Sequence, residues 1–444
     1  MIAPIKKVDE YLESQSKLDL LRFITCGSVD DGKSTLIGRM LFEAQLVFED
    51  QIASLRSESV KHGSQDGEID FALLVDGLAA EREQGITIDV AYRFFATSHR
   101  KFIVADTPGH EQYTRNMATG ASTADVAVIL VDATQGLLTQ TRRHSFICSL
   151  LGIKHIALAI NKMDLIDFDR EKYESIVIEY SEFSQQLMFD SVTAIPMSAL
   201  RGDNVVERSS KTRWHSGPTL IGFLETVEIE QRKTESQFRM PVQWVNRPDL
   251  NFRGFSGTVV SGTVRKNDEV KILPSGETAR LKDIVLFKER LDKAVVNQAI
   301  TLTLDREVDC SRGDVIVAAK APIEVADQFE ARIVWMDQSI GHQGRAYWLK
   351  TNTIRVNATL NEIKYNYNIN TLERLPSKQM CLNDIGVATI TLDRSIPFEP
   401  YSNNRALGAF VLIDRYSNAT VAAGMINFAL RRSQNIHAQK LAVD

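Results

Sequence analysis

The sequence predicts an α/β domain with a doubly wound, mostly parallel sheet, followed by two all-β barrel domains. Three observations support this fold class. A glycine-rich phosphate loop at residues 27–34 lies between a short apolar run and a helical pattern. Further apolar runs alternate with helical patterns as far as residue 227. From Pro241 on, short β-rich runs separated by Gly, Asn, Asp and Pro are typical of barrels.

Length and composition agree with several domains in one globular chain. The 444 residues are 44% hydrophobic and carry a net charge of −5. We expect an N-terminal arm at 1–20, the α/β domain at 21–232, and barrels at 233–324 and 325–444. No apolar run reaches the roughly 20 residues of a membrane helix, and the first 17 residues are too polar for a secretory signal. This predicts a cytoplasmic protein with no membrane partner, and the acidic charge argues against a nucleic-acid partner.

The phosphate loop fits G-x-x-x-x-G-K-[ST] in full, between a predicted strand at 21–26 and a predicted helix at 33–48. Its glycines let backbone N–H groups turn towards phosphate oxygens, Lys33 can neutralise β- and γ-phosphate charge, and the Ser34 hydroxyl can ligate Mg²⁺. The helix N-terminus adds partial positive charge. The residues expected to bind the nucleotide here are Gly27, Ser28, Val29, Asp30, Asp31, Gly32, Lys33, Ser34 and Thr35.

A polar segment at 49–68 predicts a mobile surface loop. Alternating apolar residues from Ile86 to Phe94 then predict a half-buried strand. Thr87 lies at the start of this strand, after the flexible sequence Glu83-Gln84-Gly85. It is the candidate for the second protein ligand of Mg²⁺, although in isolation it would be interpreted as a strand-edge threonine.

A predicted strand at 101–105 ends at the turn Asp106-Thr107-Pro108-Gly109-His110. The carboxyl end of such a strand is where α/β folds place ligand contacts. Asp106 can contribute a carboxylate to the Mg²⁺ shell, and the Gly109 amide can contact the γ-phosphate. D-x-P-G alone is an ordinary turn, and a solitary histidine is usually structural. The adjacency of the two favours His110 as the residue that positions the attacking water, so His110, Lys33 and Thr87 are the catalytic candidates.

Predicted strands follow at 127–131, 156–160 and 192–196, and the last two run into Asn161-Lys162-Met163-Asp164 and Ser198-Ala199-Leu200. The Asp164 carboxylate can accept hydrogen bonds from guanine N1 and N2, a donor pair that adenine lacks. Lys162 can cover the base, and Asn161 can brace the loop. N-K-x-D alone is often a polar turn, but after a strand in a chain with this phosphate loop it favours guanine. The predicted ligands are therefore GTP and Mg²⁺, with Ser34, Thr87 and Asp106 as metal ligands and the first domain a P-loop GTPase.

This motif series resembles that of the translation-factor GTPases, the class of elongation factor Tu. Residues 81–89 are similar to their first switch, 106–110 to their second, and 161–164 with 198–200 to their guanine loops. In that class a histidine at the position of His110 orients hydrolytic water between apolar residues, which here would be Val29 and Ile86. Two trailing barrels also fit that architecture.

Other segments are more similar to the large, GTPase subunit of bacterial ATP sulfurylase (sulfate adenylyltransferase). These are Ser28 and Asp31 in the loop, and the segments 202–206, 214–220, 241–248, 252–257 and 421–426. The resemblance implies a heterodimer for sulfate assimilation with a smaller catalytic subunit, which forms adenosine 5′-phosphosulfate and pyrophosphate from ATP and sulfate. GTP hydrolysis on this chain would drive that step. Some relatives carry a fused adenylylsulfate kinase, an activity not expected here because no second phosphate loop follows Ser34.

Two alternatives remain open. One is a translation-factor-like GTPase that carries aminoacyl-tRNA or acts on ribosomes, against which the acidic charge, Ser28 and Asp31 all weigh. The other is a stand-alone regulatory GTPase. Asp31 itself has no explanation from sequence, because a carboxylate beside phosphate adds repulsion unless it points outward, pairs with a base or meets the partner.

Overall fold

The computed structural model describes residues 18–44, 71–75, 87–229, 236–249 and 252–430. They divide into two compact units, one formed by the chain up to Ile229 with the short segment Ile369–Leu372, and the other by the remaining described residues. The predicted arm as far as residue 17, the predicted loop at 49–68, and Ile86 with most of the predicted first switch lie outside the described residues.

The first unit contains a six-stranded sheet with the strand order β2-β3-β1-β4-β5-β6. Its strands are Leu20–Cys26 (β1), Ala91–Ala96 (β2), Lys101–Asp106 (β3), Val126–Asp132 (β4), His155–Asn161 (β5) and Ser191–Pro196 (β6). Its α-helices are Lys33–Glu43 (α1), Thr114–Thr123 (α2), Thr139–Leu150 (α3), Arg170–Ser184 (α4) and Leu220–Thr226 (α5). All strand pairs are parallel except β2 with β3, which confirms the predicted doubly wound sheet.

The strand order changes direction at β1, which has β3 on one side and β4 on the other. Open α/β sheets bind ligands at the carboxyl ends of strands beside such a switch point, and the phosphate loop follows β1 directly. All seven residues of β4 are buried, as expected for a parallel strand covered on both faces. Helix α1 buries Leu36, Ile37 and Met40 in the same core as the sheet.

Two predicted element boundaries were wrong. Helix α1 ends at Glu43, where the Ala44 N–H bonds the carbonyl of Met40, and not at residue 48. The strand predicted from Ile86 begins only at Ala91. Strand β3 ends at Asp106, which lies opposite Ala91, so residues 87–90 have no strand beside them to pair with. Thr87 therefore lies in a loop rather than at the start of a strand.

The second unit consists of two antiparallel barrels. The first barrel contains Arg239–Pro241 (β7), Trp244–Asp249 (β8), Phe252–Thr258 (β9), Thr263–Arg265 (β10), Glu269–Leu273 (β11), Thr278–Leu286 (β12), Glu289–Leu291 (β13), Lys293–Val295 (β14), Ala299–Leu304 (β15) and Val315–Ala318 (β16). The second contains Glu324–Trp335 (β17), Gly341–His342 (β18), Ala346–Thr351 (β19), Ile354–Tyr367 (β20), Arg374–Leu375 (β21), Gln379–Met380 (β22), Ile385–Phe398 (β23), Ala409–Ile413 (β24), Thr420–Ala429 (β25) and a short helix, Arg405–Gly408 (α6).

The second barrel is closed, because β19 pairs with both β20 and β24. Its strands alternate between core and surface: Tyr347 and Leu349 are buried, whereas Trp348 is half-buried and Lys350 is exposed on the outer face. Each barrel has its own hydrophobic core. In the described ranges of both units, no helix is long and apolar enough to cross a membrane.

Candidate nucleotide-binding site

The phosphate loop is a tight turn packed against the ends of the central strands. Gly27 has φ 148° and Gly32 has φ 90°. A Cβ on Gly27 would lie 2.8 Å from the Leu130 carbonyl oxygen, and one on Gly32 would lie 2.5 Å from Asn161 Nδ2. Both positions combine positive φ with close packing, so glycine is required at each for this loop path.

Lys33 is only 6% exposed and closes the loop with its own side chain. Its Nζ donates to the carbonyl oxygens of Ser28 at 2.5 Å and Gly27 at 3.4 Å. Burial lowers the pKa of Lys33, while the nearby carboxylates of Asp31 and Asp106 act in the opposite direction. Gly109 from the second predicted switch approaches the same ammonium, because a Cβ there would lie 2.6 Å from Nζ. The loop lysine and the turn after β3 are therefore neighbours.

Asp31 turns back into the loop and is 1% exposed. Its Oδ2 accepts the Ser28 N–H at 2.5 Å. Burial raises the pKa of this carboxyl to about 6, against the opposing effect of the Lys33 charge. Asp31 thus acts as an internal brace of the loop.

Three side-chain oxygens converge beside the loop, from Ser34, Thr87 and Asp106. Ser34 Oγ donates to Asp106 Oδ2 at 2.8 Å and lies 3.2 Å from Thr87 Oγ1. Thr25 Oγ1 donates to Asp106 Oδ1 at 3.1 Å, which fixes the carboxylate between β1 and α1. Burial raises the pKa of Asp106, and the hydrogen bond from Ser34 and the charge of Lys33 oppose that shift. Mg²⁺ prefers hard oxygen ligands, and these three side chains supply them.

The turn after β3 begins with buried, hydrogen-bonded residues and ends at the half-buried His110. Thr107 Oγ1 donates to the Thr25 carbonyl at 2.6 Å, and Pro108 and Gly109 are buried. His110 caps the 3₁₀ turn Glu111–Tyr113, since its Nδ1 accepts the Gln112 N–H at 3.3 Å. This acceptor role leaves Nε2 as the protonated ring nitrogen of the neutral imidazole.

The predicted guanine loops are joined to the phosphate loop through Asn161. Its Nδ2 donates to the Asp31 carbonyl at 2.8 Å, and its Oδ1 accepts the Ala199 N–H at 2.8 Å. Met163 is buried and Asp164 half-buried in the 3₁₀ turn Met163–Ile166. One asparagine thus ties together three loops that lie far apart in sequence.

The last predicted loop is buried at its start, where the Ser198 N–H donates to the Asp203 carbonyl at 3.2 Å. Arg39 of α1 donates from Nε to the Ala199 carbonyl at 3.2 Å and from its Nη2 to the Leu200 carbonyl. Helix α1 therefore carries the phosphate loop at one end and contacts the third loop along its side.

Sequence reasoning missed Asp132, Arg39 and His144. Asp132 Oδ2 pairs with Lys162 Nζ at 2.8 Å. Burial alone would raise the pKa of Asp132, but the hydrogen bonds from Lys162 and Thr134 have the larger combined effect, and the pKa is lowered. The signal that singled out Asp106, an acidic residue ending a buried strand, could also have found Asp132.

His144 Nδ1 accepts the Gly27 N–H at 3.2 Å, and burial with the Lys33 charge lowers the pKa of His144 to about 3. Nothing in the sequence near Arg39 or His144 points to these contacts.

Comparison with known proteins shows which family the chain belongs to. The model of the elongation factor Tu GTP binding domain matches residues 18–247, that of elongation factor Tu domain 2 matches 255–317, and that of the GTP-eEF1A C-terminal domain matches 328–427. Sulfate adenylyltransferase subunit 1 of Saccharophagus degradans is 52% identical over 426 residues, covering 96% of this chain and 90% of that protein. The chain belongs to the sulfate adenylyltransferase subunit 1 family.

Other members of the family extend the match. Subunit 1 of Cellvibrio japonicus is 52% identical over 427 residues, with the same coverage of 96% and 90%. The bifunctional enzyme NodQ of Rhizobium sp. (strain N33) is 56% identical across 100% of this chain, which spans 68% of NodQ. These matches confirm the resemblance predicted from the sequence, including a translation-factor-type GTPase domain followed by barrel domains.

Replacing Asp31 by Asn should make the nucleotide-free protein more stable towards neutral pH. Because folding raises the pKa of Asp31, the protonated carboxyl is favoured in the folded state, and stability is lost as pH rises through about 6. Asparagine does not ionise, so the variant does not lose stability as pH rises, and its amide oxygen can still accept the Ser28 N–H. The gain over wild type should grow from about pH 4 to about pH 6 and level off above that, at roughly 3 kcal/mol at most.

Urea unfolding at a series of pH values without nucleotide measures this difference. Asp30→Asn is the matched control, because Asp30 is exposed in the same loop, and asparagine tolerates its positive φ of 64°. Parallel stability profiles for wild type and Asp31→Asn would contradict the burial argument.

Proposed function

We propose that this protein is the GTPase subunit of a heterodimeric sulfate adenylyltransferase that works in the cytoplasm. GTP hydrolysis on this chain drives formation of adenosine 5′-phosphosulfate and pyrophosphate from ATP and sulfate on a smaller catalytic subunit. The observation that carries the proposal is the 52% identity to a subunit 1 across 96% of the chain. The same observation disfavours a translation-factor-like role.

The phosphate end of the site supports GTP as the ligand. Lys33 donates to two carbonyl groups of its own loop. On binding, β- and γ-phosphate oxygens would replace those carbonyls, with the Gly109 amide close to the γ-phosphate. Ser34, Thr87 and Asp106 would hold Mg²⁺, which when bound supplies positive charge to the β- and γ-oxygens.

The base end is arranged to recognise guanine. Asp132 holds Lys162 by its ion pair, so the aliphatic stem of the lysine can lie along one face of the base. Asp164 would accept hydrogen bonds from N1 and N2. Because Asn161 bonds both the phosphate loop and the loop at Ala199, the two ends of the site are held in one geometry.

There is a thermodynamic reason to couple GTP hydrolysis to sulfate activation. The sulfate–phosphate anhydride is high in energy, so adenylylation of sulfate runs uphill unless it is linked to another hydrolysis. Linkage requires that the GTP and GDP states make different contacts with the partner. Asn116 of α2 donates to the Ile88 carbonyl at 2.7 Å, next to Thr87. This bond joins the helix that follows His110 to the segment that carries Thr87, so both respond together to the γ-phosphate.

A coupled assay tests the function directly. The protein is purified with the smaller subunit and supplied with ATP, sulfate and GTP, and phosphosulfate and GDP are measured together. GTP turnover should rise as phosphosulfate forms, and phosphosulfate yield should fall when a non-hydrolysable GTP analogue replaces GTP. Phosphosulfate formation that is indifferent to GTP, or GTP turnover that responds to ribosomes instead, would overturn the proposal.

Asp164→Asn should shift specificity from GTP towards xanthosine triphosphate. The substitution removes the charged acceptor for N1 and N2, while the new amide can donate to the xanthine O2. GTP affinity should fall about 10- to 100-fold, as expected for loss of hydrogen bonds to a charged group. Competition against a fluorescent GDP analogue measures both affinities. Asp167→Asn, an exposed position in the same segment, is the control, and equal GTP affinity in Asp164→Asn would count against the guanine assignment.

His110→Ala should bind GTP normally but hydrolyse it ~10²-fold more slowly or worse, because it loses a positioned group. Single-turnover hydrolysis with the smaller subunit present measures the effect, and nucleotide titration checks binding. His99→Ala, on an exposed turn of the same domain, serves as the control. If partner-stimulated turnover stays at the wild-type rate, His110 does not position the attacking water.

A further inference from the structure

The outer face of the second barrel carries two guanidinium groups stacked on one indole. The Arg355 guanidinium lies 4.3 Å from the centre of the Trp348 ring, and that of Arg415 lies 5.0 Å from it. Trp348 is half-buried on β19, Arg355 is on the neighbouring strand β20, and Arg415 follows β24. Cation–π contacts of this kind hold both guanidinium groups in place at the surface.

The cations of this face make no ion pair within the described part of the chain. Lys350 lies directly opposite Arg355 in the β19–β20 register, and like charges in that position destabilise a strand pair. Among the described residues, no carboxylate lies within ion-pair distance of Lys350, Arg355 or Arg415. This face therefore carries three exposed cations without an ion-pair partner, two of them opposite each other on neighbouring strands, and an anionic group would be favoured there.

The turn that carries Arg415 and Tyr416 is held by its own hydrogen bonds. Asp414 accepts N–H groups from Tyr416 at 3.0 Å and Ser417 at 2.9 Å, and it pairs with Arg345 at 2.5 Å. These contacts, led by the Ser417 N–H, lower the pKa of Asp414 to about 2, so the brace stays charged at neutral pH. The neighbouring Tyr416 is 91% exposed. Its backbone is already ordered, so a partner would meet little cost in fixing it.

We infer that this face, the Trp348 patch (Trp348, Lys350, Arg355, Arg415 and Tyr416), docks an acidic segment of the smaller catalytic subunit. Trp, Tyr and Arg are the residues that dominate binding energy at protein interfaces. The three cations call for carboxylates across the interface, which would also speed association. The net charge of −5 disfavours a polyanion as large as a nucleic acid. The identity of the partner rests on the proposed function.

The test uses the double variant Arg355→Glu/Arg415→Glu in the full chain. Its matched control is Lys282→Glu/Lys288→Glu, which changes the net charge equally at two exposed positions of the first barrel. Calorimetric titration with the smaller subunit should show affinity reduced roughly 100-fold or more by the patch variant and unchanged by the control. Far-UV circular dichroism and thermal unfolding report correct folding of the barrels in both variants, and GTP binding and intrinsic GTP hydrolysis should match the wild type.

A second measurement does not depend on charge reversal. A photo-reactive benzoylphenylalanine at position 416 should cross-link to the smaller subunit, and the cross-linked peptide should be rich in Asp and Glu. Because Tyr416 is almost fully exposed, this substitution does not disturb the barrel core.

The outcomes separate this inference from the proposed function. If the wild-type protein does not bind the smaller subunit, the proposed function fails, and the inference fails with it. If the wild type and the patch variant bind that subunit equally, the inference is overturned while the proposed function stands. If the patch variant keeps that binding but loses binding to a single-stranded RNA probe that the wild type retains, the patch is a nucleic-acid site and the inference is again overturned.

Discussion

A buried ammonium group, that of Lys33, is the constraint on which the nucleotide site depends. An unpaired buried charge costs several kcal/mol, so its neighbours must compensate for it. Here two loop carbonyls accept from Nζ, and the carboxylates of Asp31 and Asp106 lie close enough to influence its pKa. Asp106 is in turn held by Thr25 and Ser34. The free loop therefore satisfies its lysine with its own groups, and phosphate would have to displace those contacts.

This constraint explains the role of Asp31, which at first is unexpected in a loop for polyanions. A carboxylate that accepts a loop N–H and lies close to Lys33 acts as an internal counter-ion for the ammonium. Burial raises the pKa of this carboxyl, so it loses its charge more easily than an ordinary aspartate. Asp31 therefore stabilises the loop from inside, through the Ser28 N–H and the Lys33 ammonium.

Single hydrogen bonds join the parts of the site that sequence keeps apart. Asn161 links the phosphate loop to the loop at Ala199, and Asn116 links α2 to the backbone beside Thr87. These bonds connect the phosphate loop with the loops after β5 and β6, and α2 with the backbone beside Thr87. The second barrel contributes differently: its closed sheet fixes an outer face, and the charges on that face are set by strand register and by the turn after β24.

The sequence by itself determined the parallel sheet, the phosphate loop and the loops at 161–164 and 198–200, because these depend on apolar periodicity and on contacts between near neighbours. Asp106, Ser34 and Asn161 could be placed for the same reason, since each follows a recognisable strand end or loop. The tertiary structure decided the rest. The late start of β2 depends on where β3 ends, and the roles of Asp132 and His144 depend on Lys162 and Gly27, which are distant in sequence. The Trp348 patch likewise exists only because β19, β20 and the turn after β24 meet in one register, and no local pattern encodes the pairing of distant strands.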